Sequence, residues 1–303
     1  MPNSIGSLVF SMACDTMKEI HQQKGKGMNL LFVIDDAYVE QLKVVLYSIV
    51  QQMPKQAFQV FLMQQVLLKK HSEIKRFVEN LGMTYHPIVV GEDAFASAPT
   101  TDRYPQTIYY RLLAHEFLPE EVDKVLYLDA DLICLNGFGE LYEMEMGEQY
   151  YVAASHNEDG KLLDYINKLR LKNFEMDSSY FNTGVLLMNL KAIRSHVKRE
   201  DILNFIKNNR NRLILPDQDV LNGLYADKVI PIPDEVYNYD ARYSLIYQIK
   251  SQGKWDLNWV IDQTVFLHFA GRDKPWNQNY LGRYSALYKF MSSLTRKFEE
   301  TLS

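Results

Sequence analysis

Short apolar segments alternate with helical stripes in the first part of this chain. Unbroken apolar runs that are partly β-branched predict buried strands at 29–34, 58–63 and 83–90. Two helices are predicted between them by apolar residues at three- and four-residue steps, namely Tyr38, Leu42, Val45 and Ile49, then Ile74, Phe77, Val78 and Leu81. Gly82 stands where a helix usually ends. This alternation is typical of βαβ units, and it predicts an α/β fold with a mainly parallel sheet flanked by helices.

The alternation continues beyond the third strand and predicts one large catalytic domain over residues 29–280. Further strands are predicted at 124–129, 150–155, 185–190 and 264–269, and further helices at 105–119, 161–169, 201–209 and 218–225. Residues 1–28 are predicted to be a flexible lead-in, because the chain is polar and contains glycines in the stretch QQKGKGMN at 22–29, where the fold is predicted to begin.

The last segment, 281–303, is predicted to be an amphipathic helical extension. One face carries Leu281, Tyr284, Leu287, Tyr288, Met291, Leu294 and Phe298, and the polar residues beside it include Arg283, Lys289, Arg296 and Lys297. Two interpretations remain open. The helix either docks on the body of the protein or makes a peripheral membrane contact near a lipid-linked acceptor.

Composition narrows the class of protein. The 303 residues are 47% hydrophobic, which is ample for one large core, and the net charge of −5 with a pI near 5.8 argues against nucleic acid as a partner. Cys14 and Cys134 are too few for a disulfide framework. No apolar run approaches the roughly 18 residues that span a membrane. We therefore expect a cytoplasmic protein that can also lie at the inner face of the membrane.

Two carboxylates lie at the C-terminal end of the predicted strand at 124–129. Asp129 and Asp131 are flanked by apolar residues on both sides, where two like charges are costly unless a cation lies between them. Ligands bind at the carboxyl edge of parallel sheets, and side chains two residues apart on a strand point to the same side. The pair therefore predicts a site for Mg²⁺ or Mn²⁺, which bind oxygen ligands and substrate phosphates.

Three later clusters carry candidate chemistry. In TVFLHFAGRDKPW, His268 closes an apolar run and Lys274 follows, so that one residue can bind a metal and the other a phosphate. In LPDQDVLNGLY, Asp217 and Asp219 are candidates either for ligand binding or for a helix N-terminus. In YFNTGVLLMNL, Asn182 and Gly184 precede a strand.

The ordered set of motifs resembles glycosyltransferase family 8. These retaining nucleotide-sugar transferases include bacterial lipooligosaccharide galactosyltransferases, which are the closer branch, and, more distantly, glycogenin. The resemblance extends from about residue 29 to about residue 280 and rests on IDDAY, YYRLL, LYLDADLI, FNTGVLLMNL, LPDQDVLN and LHFAGRDKPW. It implies a Rossmann-like fold of the GT-A type.

The resemblance also implies a role for each matched position. The ligands of Mn²⁺, which Mg²⁺ can replace, would be Asp129, Asp131 and His268. The uridine pocket would be formed by Asp35, Asp36 and Tyr38, with Tyr38 stacked on the base. The other donor-binding residues would be Arg111, Ala130, Asn182 and Asp217 near the sugar, and Gly271 and Lys274 at the diphosphate. Two positions depart from the family pattern, Ala37 in place of an asparagine and His156 in place of an aspartate.

The implied activity is transfer of glucose or galactose from a UDP-sugar to a hydroxyl of a saccharide, lipid-linked glycan or protein-linked glycan. It belongs to bacterial cell-surface, lipopolysaccharide-like or glycoprotein glycan synthesis. Asp217 and Gln218 are the candidate catalytic residues. Gln218 is a poor nucleophile, so we favour a front-face route in which the leaving phosphate deprotonates the acceptor, over a two-step route through Asp217. Residues 91–105, rich in small residues and proline, are predicted to form a lid that excludes water.

Two other classes of protein compete with this interpretation. Haloacid dehalogenase-type phosphatases also place D-x-D at the end of an apolar strand, although normally near the N-terminus, whereas Asp129 lies deep in this chain. A non-catalytic sugar-binding module would not need Lys274, Gln218 and a complete set of metal ligands together.

Overall fold

The computed structural model describes residues 27–91, 93–95, 98, 100, 105–155 and 180–302. Residues 1–26 of the predicted lead-in, the predicted helix at 161–169, His156 and most of the predicted lid lie outside the described residues.

The described strands are β1 (Met28–Val33), β2 (Phe58–Gln64), β3 (Thr84–Val89), β4 (Lys124–Leu128), β5 (Leu132–Cys134), β6 (Tyr151–Ser155), β7 (Phe181–Asn189), β8 (Val229–Ile232), β9 (Tyr239–Asp240) and β10 (Phe266–His268). The described helices are α1 (Val39–Gln52), α2 (His71–Asn80), α3 (Ala114–Phe117), α4 (Gly139–Tyr142), α5 (Leu190–His196), α6 (Arg199–Asn209), α7 (Pro216–Tyr225), α8 (Asp234–Tyr237), α9 (Ser244–Lys250), α10 (Leu257–Gln263) and α11 (Ser285–Glu300).

A seven-stranded sheet forms the centre, in the order β3-β2-β1-β4-β7-β6-β8. Every neighbouring pair is parallel except the two that contain β7, which runs antiparallel to β4 and to β6. The predicted mainly parallel sheet is therefore confirmed. A second sheet, in the order β5-β10-β9, pairs His268 with Leu132 on one side and with Asp240 on the other.

The central sheet separates two hydrophobic cores. Successive side chains of β1 alternate between them, so that Leu30 and Phe32 pack in one core and Leu31 in the other. Helices α1, α2 and α11 cover the first core, and α5, α6 and α7 cover the second. Burial on both faces explains why β1 and β4 are continuous apolar runs in the sequence.

Local signals in the sequence locate some element ends and miss others. Helix α2 ends before Gly82, whose φ of +77° is the left-handed conformation that glycine favours, as predicted. The predicted regular helix at 105–119 is wrong, because Gln106–Leu113 is a 3-10 segment and only Ala114–Phe117 is α-helical. Residues 109–113 are all buried, so the core around this segment, rather than one amphipathic face, determines its conformation.

The C-terminal helix α11 is docked on the body of the protein. Tyr288, Met291 and Phe298 are buried, and the Phe298 ring lies 5.5 Å from that of Tyr47 and 5.7 Å from that of Phe77. Most of the predicted apolar face therefore packs on the body of the protein, which confirms the docked interpretation. In the described part of the chain, every helix is too short or too polar to span a bilayer.

Candidate active site

The two aspartates of the D-x-D motif lie in the turn that joins the two sheets. Strand β4 ends at Leu128 and β5 begins at Leu132, so the expectation that both aspartates lie on one strand is wrong. The Asp129 N–H donates to Gly184 O at 2.8 Å, and Asp131 O accepts from the Phe269 N–H at 2.9 Å. The backbone on either side thus fixes the turn, with Ala130 buried at its centre.

His268 completes a group of three potential metal ligands. Ligand atoms of Asp129, Asp131 and His268 all lie within 4.8 Å of one another. His268 Nε2 is 3.0 Å from Asp131 Oδ1 and 3.7 Å from Asp129 Oδ2. Strand pairing produces this proximity, because His268 lies opposite Leu132, the residue after Asp131.

The other ring nitrogen of His268 is held by a residue that the sequence did not point to. His268 Nδ1 is 2.9 Å from Asn238 Oδ1. An amide oxygen only accepts, so Nδ1 carries a proton and Nε2 is the nitrogen that faces the aspartates. Two carboxylates and one correctly oriented imidazole fit Mn²⁺, which accepts nitrogen alongside oxygen.

Burial and neighbouring charges shift the pKa values of His268 and Asp131 in opposite directions. Burial alone would lower the pKa of His268, but the neighbouring Asp131 carboxylate raises it above its ordinary value. Burial would raise the pKa of Asp131, yet His268 and Lys274 together hold it well below its ordinary value. The Lys274 Nζ donates to the Asp131 carboxylate and, at 2.9 Å, to Phe269 O. The predicted diphosphate-binding lysine therefore lies beside the predicted metal ligands.

Arg111 connects Asp129 to the cluster on α7. Its guanidinium is buried, with Nη1 3.0 Å from Asp129 Oδ1 and 3.3 Å from Asp217 Oδ2. It also donates to Thr183 O at 3.1 Å and lies 4.2 Å from the centre of the Tyr127 ring. Burial would lower the pKa of Arg111, but the neighbouring Asp129 carboxylate outweighs that effect and raises the pKa above its ordinary value. The side chain therefore stays charged between two carboxylates.

Asp217 and Asp219 have different environments on α7. Asp217 Oδ2 accepts from Thr183 Oγ1 at 2.9 Å, and burial raises the pKa of Asp217 while Arg111 opposes that shift. Asp219 accepts from Tyr180 Oη at 2.6 Å and from two backbone N–H groups just before the helix, those of Ile214 and Leu215. Asp217 therefore faces the candidate site, and Asp219 stabilises the start of α7. Gln218 follows Asp217 and is half-buried.

Residues at the start of β7 pack directly against the metal ligands. Asn182 Oδ1 accepts from the Gly184 N–H and from Asn238 Nδ2, both at 2.8 Å. A Cβ on Gly184 would lie 2.4 Å from His268 Cε1 and 2.9 Å from Asp129 Oδ2. Only glycine fits there without displacing His268.

The predicted uridine pocket lies beside this cluster. Asp35 accepts from the Ala37 N–H at 2.9 Å, and Asp36 accepts from the Lys69 N–H at 2.9 Å. Burial raises the pKa of Tyr38 to about 12, and the charges of Asp131 and Asp129 add to that shift, which indicates that Tyr38 lies near both.

The Tyr38 ring packs edge-on against Trp276, with the ring centres 5.9 Å apart. Gly271, on the loop between His268 and Lys274, has a φ of +93° and packs against Arg242.

Most predicted site residues are thus brought together, and the structure adds three more. Thr183 and Tyr127 lie inside motifs that were already recognised, and Tyr127 Oη donates to Asp129 Oδ1 at 2.5 Å. Asn238 lies outside every motif. Its role depends on the pairing of β9 with β10, which no local pattern reveals.

The fold and the site define a protein of the GT-A type. The crystal structure of the galactosyltransferase LgtC, in complex with donor and acceptor sugar analogues, superposes with a TM-score of 0.72 at 23% identity, covering 88% of this chain and 96% of that one. The structure of the glycosyltransferase GlyE from Streptococcus pneumoniae gives 0.65 at 23% identity, covering 92% of this chain and 64% of that one. These similarities confirm the predicted fold.

The model of the family described as "Glycosyl transferase family 8" matches residues 29–280, and the chain belongs to that family. A lipopolysaccharide 1,2-glucosyltransferase of Escherichia coli is 26% identical over 260 residues, which cover 82% of this chain and 73% of that protein. Streptococcus pneumoniae GlyE is 26% identical over 258 residues, which cover 84% of this chain and 58% of GlyE. The predicted family and enzyme class, a glycosyltransferase, are confirmed, and neither alternative class gains support from these matches.

Proposed function

We propose that this enzyme transfers a hexose, glucose or galactose, from a UDP-sugar to an acceptor hydroxyl with retention at the anomeric carbon and with a divalent metal ion. The observation that carries the proposal is the position of Asp131. Its carboxylate contacts both His268, a nitrogen ligand for a metal, and Lys274, a cation suited to a phosphate. The relatives named as glucosyltransferases and galactosyltransferases support a hexose donor.

A diphosphate fits this arrangement of charges. Asp129, Asp131 and His268 would hold Mn²⁺, with Mg²⁺ as a substitute, and the ion would neutralise the charge that develops on the departing diphosphate. Lys274 has three N–H donors, of which two bond to Asp131 and to Phe269 O. The third has no hydrogen-bond partner in the described part of the chain. Lys274 can therefore bind a phosphate oxygen of the leaving group while it remains fixed beside the metal ligands. Tyr38 would stack on the uracil, next to the same charges.

The donor sugar would lie between the metal ligands and α7. Asp217 is buried beside Arg111 and Thr183, so that its carboxylate has a fixed orientation toward sugar hydroxyls. Asn182 lies on the metal side of this space, and Gln218 is next to Asp217 at the start of α7.

Retention is proposed to follow a front-face route. Asp217 Oδ2 is already paired with Arg111 and accepts from Thr183, and both contacts lower its nucleophilicity. In the front-face route, the acceptor oxygen bonds to the anomeric carbon as the sugar–phosphate bond breaks, and its proton passes to the departing phosphate oxygen. Covalent sugar on Asp217, detected by intact mass, would contradict this route.

The acceptor is proposed to be a bacterial cell-surface glycan of the lipopolysaccharide type, as in the relatives named for lipopolysaccharide synthesis; protein-linked glycans are the second candidate. A lipid-linked acceptor would require the enzyme to work at the inner face of the membrane. Any membrane contact at this end of the chain would use Phe290 on α11 and Leu281 just before it, which are 64% and 96% exposed, because most of the predicted apolar face packs on the body.

The decisive experiment is a screen for UDP release and sugar transfer from UDP-glucose and UDP-galactose, with Mn²⁺ and with EDTA. We expect turnover with one of these donors only when metal is present, and a product whose anomeric configuration matches that of the donor by NMR. Asp129→Asn should raise the activation barrier by about 2.7–4 kcal/mol and so lower turnover. That is the usual effect of removing one preorganised charge-stabilising group. Unchanged turnover in EDTA or in that variant would refute the metal assignment.

A further inference from the structure

Asn238 lies between the metal site and the donor-sugar site and contacts both. It follows α8, is 1% exposed, and its backbone N–H donates to Asp234 O at 2.9 Å. Its Oδ1 is 2.9 Å from His268 Nδ1, and its Nδ2 is 2.8 Å from Asn182 Oδ1. We propose that Asn238 is a positioning residue that orients His268 for the metal and Asn182 for the sugar, and so couples the two halves of the site.

The first contact sets the orientation of the imidazole. Because Asn238 Oδ1 can only accept, His268 Nδ1 must donate, and Nε2 faces Asp129 and Asp131, where a metal ion would take the place of the proton between Nε2 and Asp131. Partners of this kind, behind a metal-binding histidine, typically change metal affinity by about 10–100-fold. Asn238 should therefore affect Mn²⁺ binding without touching the ion.

The second contact decides which end of the Asn182 amide meets the donor. Asn182 Oδ1 accepts both from Asn238 Nδ2 and from the Gly184 N–H, and a carbonyl oxygen has two lone pairs. Its accepting capacity is therefore filled. The group left to meet a ligand is the Asn182 NH₂, so Asn182 presents a hydrogen-bond donor to a sugar oxygen.

Only an amide can make both contacts from this buried position. A carboxylate could accept from His268 Nδ1, and its charge would strengthen cation binding, but it has no proton for Asn182 Oδ1. Asn182 Oδ1 would then lose one of its two donors, and turning the amide over to meet the carboxylate would set its NH₂ against the Gly184 N–H. In either case the NH₂ that meets the sugar is no longer held in place. Asn238→Asp thus separates the two effects, whereas Asn238→Leu, of similar volume, removes both.

The test measures the two effects separately. Mn²⁺ affinity is determined by EPR of the free ion without any nucleotide, and the affinities for UDP and for the UDP-sugar are determined by calorimetry with Mn²⁺ present. For Asn238→Asp we expect Mn²⁺ and UDP affinities equal to or tighter than those of the unaltered protein, while the UDP-sugar affinity falls about tenfold, a single lost hydrogen bond. For Asn238→Leu we expect Mn²⁺ affinity to fall about 10–100-fold as well.

Asn189→Ala is the control, because the Asn189 NH₂ also donates two hydrogen bonds, to Gly147 O and Gln149 O, both at 3.0 Å, but lies at the far end of β7. It should change none of the affinities for Mn²⁺, UDP and the UDP-sugar. Equal loss of UDP and UDP-sugar affinity in Asn238→Asp, or unchanged Mn²⁺ affinity in a folded Asn238→Leu, would overturn the inference. If Asn238→Leu does not fold, Asn238→Asp decides alone.

The sugar half of this inference rests on the proposed donor site, and the metal half rests on the proposed metal ligands but not on sugar transfer. The Mn²⁺ titration uses no donor. Absence of transfer by the unaltered protein would therefore count against the proposed function, whereas Mn²⁺ affinities that do not respond to Asn238 would count against the coupling.

Discussion

Gly184 lies directly against His268, so that a Cβ on the glycine would be 2.4 Å from His268 Cε1. Gly184→Ala must therefore displace the imidazole from the position facing Asp129 and Asp131. We expect Mn²⁺ affinity and transfer rate to fall by on the order of 10–100-fold while the protein stays folded. Calorimetric Mn²⁺ titration and circular dichroism check both parts. Gly139→Ala is the control, because nothing lies within 4 Å of its Cβ position, and an equal loss there would contradict the explanation.

In the described part of the chain, Arg111 is the cation that forms ion pairs with both Asp129 and Asp217. Arg111→Met would leave the buried carboxylate of Asp217 and the part-buried carboxylate of Asp129 without this cation. We expect the free energy of unfolding to fall by about 3–5 kcal/mol, measured by urea denaturation. Arg111→Lys keeps the charge but cannot bond both carboxylates and Thr183 O at once, so it should fold and still lose activity. Arg199→Lys, in the ion pair with Glu116, should leave activity unchanged.

Lys274 is expected to discriminate nucleotides by their phosphates. Lys274→Gln should weaken UDP binding in the presence of Mn²⁺ and leave uridine binding unchanged, because uridine has no phosphate for the lysine to contact. Transfer should slow by roughly 10²–10³-fold if Lys274 stabilises the leaving group. Calorimetry with UDP and with uridine measures this difference. Lys289→Gln, exposed on α11, serves as the control; a similar loss of uridine and UDP affinity in Lys274→Gln would refute the phosphate contact.

The buried side chain of Lys43 links the C-terminal helix α11 to the body of the protein by ion pairs. It is 2% exposed and pairs with Glu73 on α2 and, at 2.6 Å, with Glu299 on α11. Lys43→Met should lower the free energy of unfolding by roughly 1.5–3 kcal/mol, the range for hydrogen bonds to charged groups. Lys75→Met, whose pair with Glu79 is exposed, should change it by less than about 0.5 kcal/mol.

The same ion cluster predicts how stability depends on pH. The hydrogen bond from Lys43 lowers the pKa of Glu73 below its ordinary value of 4.5. A carboxyl with a depressed pKa in the folded state stabilises above its unfolded pKa and loses that stabilisation as the pH falls through the folded pKa. The stability gap between the unaltered protein and Lys43→Met should thus narrow from about pH 7 to about pH 3.5. A gap that stays constant would show that Glu73 contributes nothing to it.

Several elements could be predicted from sequence because their signals are local. Apolar runs located β1, β2 and β4, since strands buried on both faces are mostly apolar, and helical spacing located α1 and α2. The 3-10 segment at 106–113 could not be predicted, because five consecutive buried residues there contact both the sheet and α7. Strands β5, β8 and β9 are two to four residues long, too short for any periodicity to appear.

The sequence by itself determined the chemistry that the site contains: two aspartates after an apolar strand, a histidine and lysine six residues apart, and an acidic helix start. Those residue types and their order were enough to indicate the family. Only the tertiary structure decided which atoms meet. His268 reaches Asp131 because β10 pairs with β5, and Asn238 reaches His268 because β9 pairs with β10. Contacts between residues far apart in the chain depend on how sheets pair and pack, and no local pattern encodes that pairing.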